Sequence, residues 1–137
     1  MYYCISTITQ EREECDIAWV FNQKEAVYLQ IADRLRRDVL SGHYPPDGQM
    51  PTVRQLAFDA AVNPNTVQKA LLLLEDEGLL YTKGTAGRFV TSDEAVLRLT
   101  AERVRRGVIR RWLTEARELG MTVEDMIHYM KKEEGEI

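Results

Sequence analysis

Between Thr52 and Gly78, apolar residues recur at three- and four-residue steps in two short runs separated by Val62, Asn63 and Pro64. In the first run Val53, Leu56, Ala57 and Ala60 share one helical face, and in the second Val67, Ala70, Leu71 and Leu74 do the same. The Thr52 hydroxyl suits the cap of the first helix and Asn63 that of the second. Pro64 suits the first helical position, where its missing N–H would have had no partner. The second helix turns Asn65, Thr66, Gln68 and Lys69 away from its apolar face and ends at Glu77-Gly78. The pattern predicts a helix-turn-helix whose second helix has a polar leading end, the part that enters a major groove in such units.

The same periodicity extends both ways. Residues 26–41 predict a helix with Tyr28, Ile31, Ala32, Leu35 and Val39 inward and Arg34, Arg36, Arg37 and Asp38 solvated. The run Ile17 to Phe21 is of strand type and is expected to pack on the first helix or on the hairpin. After Gly78, a strand from Leu79 to Thr82, a basic glycine-rich tip from Lys83 to Gly87 and a strand from Arg88 to Thr91 predict a hairpin. A hairpin directly after the second helix is a wing, with Lys83, Gly84, Thr85 and Arg88 placed to meet phosphate or a minor groove.

Past the wing, Leu97, Ala101, Val104, Val108, Trp112, Ala116 and Leu119 predict a helix from Asp93 to Leu119, with arginines on its other faces. Gly107 within it marks a bend or a close helix contact. Gly120 stops that helix, and Thr122 with Asp125 has the form of a capping box for another, whose apolar stripe is Val123, Met126, Ile127 and Met130. Two such helices cannot enclose a core by themselves. The expected partner is a second copy of the chain, joined through Val104, Val108, Trp112, Ala116, Leu119, Met126, Ile127 and Met130. The expected fold is therefore mainly α with a small β-hairpin wing: a winged helix-turn-helix followed by a two-helix dimerisation hairpin. Residues 1–16 would be an extension, disordered or strand-like, 17–91 the winged unit and 92–137 the dimerisation region.

Composition narrows the function. The chain has 137 residues, 45% of them apolar, enough to form a core. It contains no apolar run long enough to span a membrane and opens on no secretory pattern, which sets the expectation of a cytoplasmic protein. Its formal charge is −4, a total that taken alone argues against a polyanionic partner. The acidity is regional, however: residues 1–21 carry one Arg against four acids, whereas residues 22–91 balance eight against eight. A local positive face from Arg54, Lys69, Lys83 and Arg88 is sufficient for DNA binding, with modest and salt-dependent non-specific affinity. Cys4 and Cys15 lie eleven positions apart without zinc-ligand spacing, so no metal or other cofactor is expected. Two scattered histidines and the lack of a nucleophile–base pairing or a phosphate-loop pattern argue against an enzyme.

Several separate motifs fall in one order: Tyr28-x-Gln30-Ile31, Gly42-x-Tyr44, Gly48-x-Met50-Pro51-Thr52-x-Arg54, Asn65-Thr66-Val67-x-x-Ala70-Leu71, Glu77-Gly78-Leu79 and Gly87-x-Phe89-Val90. Over roughly residues 20–91 they resemble the DNA-binding domain of the GntR family of bacterial transcription regulators. The wing departs from the family, which often has glycine where Thr85 stands and a small residue or Thr where Arg88 stands. Only 46 residues follow Thr91, too few for the effector domains of the larger subfamilies. The chain in this respect looks like the YtrA-type members, whose short helical tail dimerises. That resemblance implies a repressor, often of its own operon and of an adjacent ABC transporter, and supports Arg54 as a DNA contact.

The expected mechanism follows from these parts. A homodimer sets two recognition helices in successive major grooves of a double-stranded operator with inverted-repeat symmetry. Thr52, Arg54, Thr66 and Lys69 hold the backbone, while Asn65 and Gln68 read bases through bidentate carboxamides. The rival reading is a winged-helix protein-interaction module without DNA specificity, suggested by Leu72 and Leu73 on the second helix. Nothing in the sequence names an effector ligand.

Overall fold

A computed structural model describes residues 19–135. They form two compact units that divide between Val90 and Thr91.

The first unit contains helices α1 (Val27–Leu40), α2 (Val53–Ala60) and α3 (Pro64–Asp76), then strands β1 (Leu80–Thr82) and β2 (Arg88–Val90). Its core is made by the side chains that share a helical face. Ile31, Ala32, Leu35 and Val39 of α1 meet Val67, Ala70, Leu71 and Leu74 of α3, and Leu56, Ala57 and Ala60 of α2 close the cluster. Val53 and Tyr28, expected inside, are half-buried. At the edge of this core Arg36 forms a two-pronged ion pair with Glu77, with Nη2–Oε1 at 2.6 Å and Nε–Oε2 at 2.9 Å. The pair ties α1 to the C-terminus of α3, and such fork geometry is the strong form of a charged hydrogen bond.

The helix starts follow local chemistry. Thr52 accepts from the Gln55 amide while the Gln55 side chain accepts from the Thr52 amide, a complete capping box. Asn63 caps α3 by accepting from the Asn65 amide, with Pro64 at the first position. Before α1, the Gln30 carboxamide accepts from the Asn22 amide and donates to the carbonyls of Asn22 and Glu25, fixing the lead-in segment. Trp19–Phe21 form no strand, contrary to the sequence expectation. Instead the Arg34 guanidinium lies 4.0 Å from the Trp19 ring centroid, so this apolar stretch is held by a cation–π contact to α1. Ile17, Ala18 and the expected extension over residues 1–16 lie outside the described residues.

The hairpin pairs Leu80 with Val90, Tyr81 with Phe89 and Thr82 with Arg88. The connector supplies a third edge that periodicity did not reveal. Asp47 donates to the Val90 carbonyl, Val90 to Gly48 and Met50 to Arg88, at 2.8–2.9 Å. Gly48 must be glycine for this path, because a Cβ there would come 2.7 Å from the Pro45 carbonyl oxygen.

The second unit holds α4 (Glu94–Glu118) and α5 (Val123–Gly135). Asp93 caps α4 through the Ala95 and Val96 amides. The Thr122–Asp125 capping box begins α5, and these hydrogen bonds hold the Asp125 carboxyl below its ordinary pKa. Helix α4 continues through Gly107, and a Cβ there would meet nothing within 4 Å, so no close contact forms at Gly107 among the described residues. Ala116 is buried, whereas α5 buries none of its residues. Large apolar side chains therefore stay exposed along both helices, among them Ile109, Trp112, Leu119, Val123, Ile127 and Met130.

Candidate nucleic-acid interface

The ten residues picked from the sequence fall on three neighbouring parts of the first unit. Thr52 and Arg54 lie at the start of α2, Asn65, Thr66, Gln68 and Lys69 on the leading turns of α3, and Lys83, Gly84, Thr85 and Arg88 in the wing. Helix α3 divides cleanly: Val67 and Ala70 are fully buried, while Asn65 and Lys69 are exposed and Thr66 and Gln68 half-exposed. The core thus fixes which way the polar residues can face.

Two surface hollows gather half of these groups. One is lined by Tyr28, Asn65, Thr66 and Lys69. The Lys69 ammonium sits 4.1 Å from the Tyr28 ring centroid, so Tyr28, read from the sequence as a core residue, presents its ring to the recognition helix. The other hollow is lined by Gln49, Thr52, Arg54, Gln55 and Phe58. Phe58, at 86% exposure, lies one turn beyond Arg54 on α2 and was not singled out in the sequence. Arg54 is exposed and makes no ion pair among the described residues, which leaves its guanidinium available for a phosphate or a base edge.

The wing tip is a short turn over Gly84–Ala86, closed by the Lys83 amide donating to the Gly87 carbonyl. Gly87 has φ +102°, a conformation open to glycine, and the Gln49 side chain donates to the Ala86 carbonyl at 2.7 Å. Lys83, Gly84 and Thr85 are all exposed. Arg88 differs from the expectation of a free wing cation. Its Nε donates to Glu75 of α3 at 2.8 Å, and its side chain is only 18% exposed. Gln49 and Glu75 hold the wing, and no sequence motif marks either of them. A long-range partner of this kind leaves no periodic signal.

Three helices with a hairpin after the third, and a polar leading end on that third helix, define a winged helix-turn-helix of the DNA-binding type. Residues 27–90 match the family described as bacterial regulatory proteins of the gntR family. The chain is 34% identical over 108 residues to the HTH-type transcriptional regulator Rv1152 of Mycobacterium tuberculosis, covering 73% of this chain and 82% of that protein. It is 36% identical over 67 residues to the HTH-type transcriptional repressor YtrA of Bacillus subtilis, covering 49% of this chain and 52% of that protein. A GntR family transcriptional regulator from Listeria monocytogenes superimposes with a TM-score of 0.75 at 27% identity, over 82% of this chain and 98% of that one. The chain belongs to the GntR family of bacterial transcription regulators.

Proposed function

We propose that the protein is a dimeric repressor that occupies an inverted-repeat operator and so blocks transcription. The observation that carries this reading is the two-sidedness of α3, whose buried face is locked into the core while Asn65, Thr66, Gln68 and Lys69 face outward. Asn65 and Gln68 read adenine edges, Thr52, Arg54, Thr66 and Lys69 hold the backbone, and Lys83, Gly84 and Thr85 bring the wing to the neighbouring minor groove. Residues 17–91 act as the DNA-binding unit and 92–137 as the dimerisation region. The exposed apolar stripes of α4 and α5 support a second copy as the partner, because no residue of α5 is fully buried among the described residues. Ala116 is excepted, being already covered in the monomer. The name of the YtrA relative supports repression, and the family resemblance extends this to the protein's own operon and an adjacent ABC transporter.

The test is fluorescence-anisotropy binding to the duplex upstream of the protein's own gene, against a shuffled duplex, at two salt concentrations. Tight binding that the shuffled duplex loses supports an operator-specific regulator. Equal binding to both, erased by salt, counts against control of its own operon. Indifference to DNA even at low salt would favour a protein-interaction module. Of the two leucines that suggested that alternative, Leu72 is exposed and Leu73 half-buried, which leaves a smaller apolar surface than the sequence implied.

A further inference from the structure

One carboxylate on the recognition helix holds both strands of the wing. Glu75 Oε1 accepts from Thr82 Oγ1 at 2.6 Å and from Arg88 Nε at 2.8 Å. Thr82 and Arg88 are themselves cross-strand partners and form the last paired rung before the tip. Glu75 is therefore bonded where the hairpin would otherwise begin to splay. From the other side, Gln49 holds the Ala86 carbonyl, and its own chain pairs with β2 just before the Thr52 cap of α2. Strands of three residues make a hairpin that is marginal alone, so these side-chain ties decide how firmly the tip is held. The Glu75 and Arg88 side chains are 21% and 18% exposed, shielded enough for the pair to act as a tie. Arg88 also stands where the sequence departs from its family, and in this chain its counterpart is supplied by α3.

We infer that Glu75 is a positioning residue for DNA recognition: it clasps Thr82 and Arg88 so that the wing tip is presented at a set angle to the recognition helix. Arg88 serves this clasp, and Lys83 is the wing cation that meets phosphate. The inference rests on the proposed reading that the wing touches DNA. Its physical basis is preorganisation, since a flap fixed before binding has little ordering entropy left to lose on the duplex.

The test uses the full chain and a labelled duplex enriched by that chain from a randomised pool. In free protein, Glu75→Gln should speed amide exchange across Tyr81–Phe89 while leaving that of α1 unchanged. On the duplex it should weaken binding about three- to tenfold, the scale of one lost charged hydrogen bond. That loss should vanish in a Lys83→Ala background, because a wing without its cation gains little from being aimed. Arg88→Thr should reproduce the Glu75→Gln phenotype without lowering the salt dependence of binding, whereas a phosphate-contacting arginine would lower the slope by about one. Unchanged wing exchange in Glu75→Gln, or losses that add to that of Lys83→Ala, overturn the clasp. If Lys83→Ala itself leaves affinity intact, the wing–DNA reading fails and the inference falls with it, which separates the two failures.

Discussion

The Lys69 ammonium rests 4.1 Å from the centroid of the Tyr28 ring, so the single cation of the recognition helix is braced by the first turn of α1. An exposed cation–π contact contributes about 0.5–1 kcal/mol, and its larger effect here is to fix where a flexible side chain delivers its charge. Tyr28→Leu should weaken operator binding about two- to fivefold, while Tyr28→Phe, which keeps the ring face, should stay near wild type. In a Lys69→Ala background Tyr28→Leu should have no further effect. Anisotropy titrations of the five proteins check this, and additive losses would show that Tyr28 acts on its own.

Arg54 presents a different situation, an exposed guanidinium without an ion-pair partner among the described residues. Its removal leaves no buried charge behind, so Arg54→Ala should hardly move the thermal midpoint. Operator affinity should nevertheless fall by more than about tenfold, the scale of one lost DNA contact. A fall that is uniform across sequences and lowers the salt slope by about one marks a phosphate contact. A fall confined to one base position marks a guanine contact. Survival of binding would remove Arg54 from the interface.

Ala61 ends α2 in the left-handed region at φ +53° and ψ +46°, with its amide donating back to the last carbonyls of the helix. A Cβ in that region costs about 1–2 kcal/mol, and glycine returns roughly half of the relief through its freer unfolded chain. Ala61→Gly should therefore stabilise the protein by about 0.5–1 kcal/mol, raising the midpoint by about 2–8 °C for a unit of this size. Thermal denaturation followed by circular dichroism measures it, and a lowered midpoint would mean the turn needs the Ala61 methyl group.

The parts that could be read from the sequence are those governed by local rules. The faces of α1, α2 and α3 follow helical spacing, and the caps at Thr52, Asn63 and Thr122 follow from a side-chain acceptor beside free amides. What stayed hidden is the long-range placement of polar groups. The pairing of Asp47–Met50 with β2 puts an irregular connector beside the wing, and no periodicity marks it. Glu75 and Arg88 stand thirteen residues apart, and Tyr28 and Lys69 forty-one, so their meeting depends on tertiary packing. The strand expected at Ile17–Phe21 rested on apolar, β-branched content, yet Trp19 is satisfied by the Arg34 guanidinium rather than by a ladder.

Trp112 offers the most direct test of assembly. Half of its surface is exposed, and it lies one helical turn from Ile109 and two from Leu119, with the buried Ala116 between. On α5, Val123, Ile127 and Met130 recur at four- and three-residue steps and are also exposed. Water in contact with two such stripes is a standing cost that a second copy would remove on both chains at once. An aromatic anchor near the centre of such an interface typically carries about 2–4 kcal/mol, which corresponds to a roughly 30- to 1,000-fold change in the dimer constant. Wild type should accordingly sediment as a dimer and Trp112→Glu as a monomer at the same concentration, with helicity retained. The variant's affinity for a full operator should drop toward that for a half-site, because the second recognition helix would no longer be delivered at high effective concentration. A variant that stays dimeric would move the interface off α4, and a monomeric variant with undiminished operator affinity would show that DNA is read one half-site at a time.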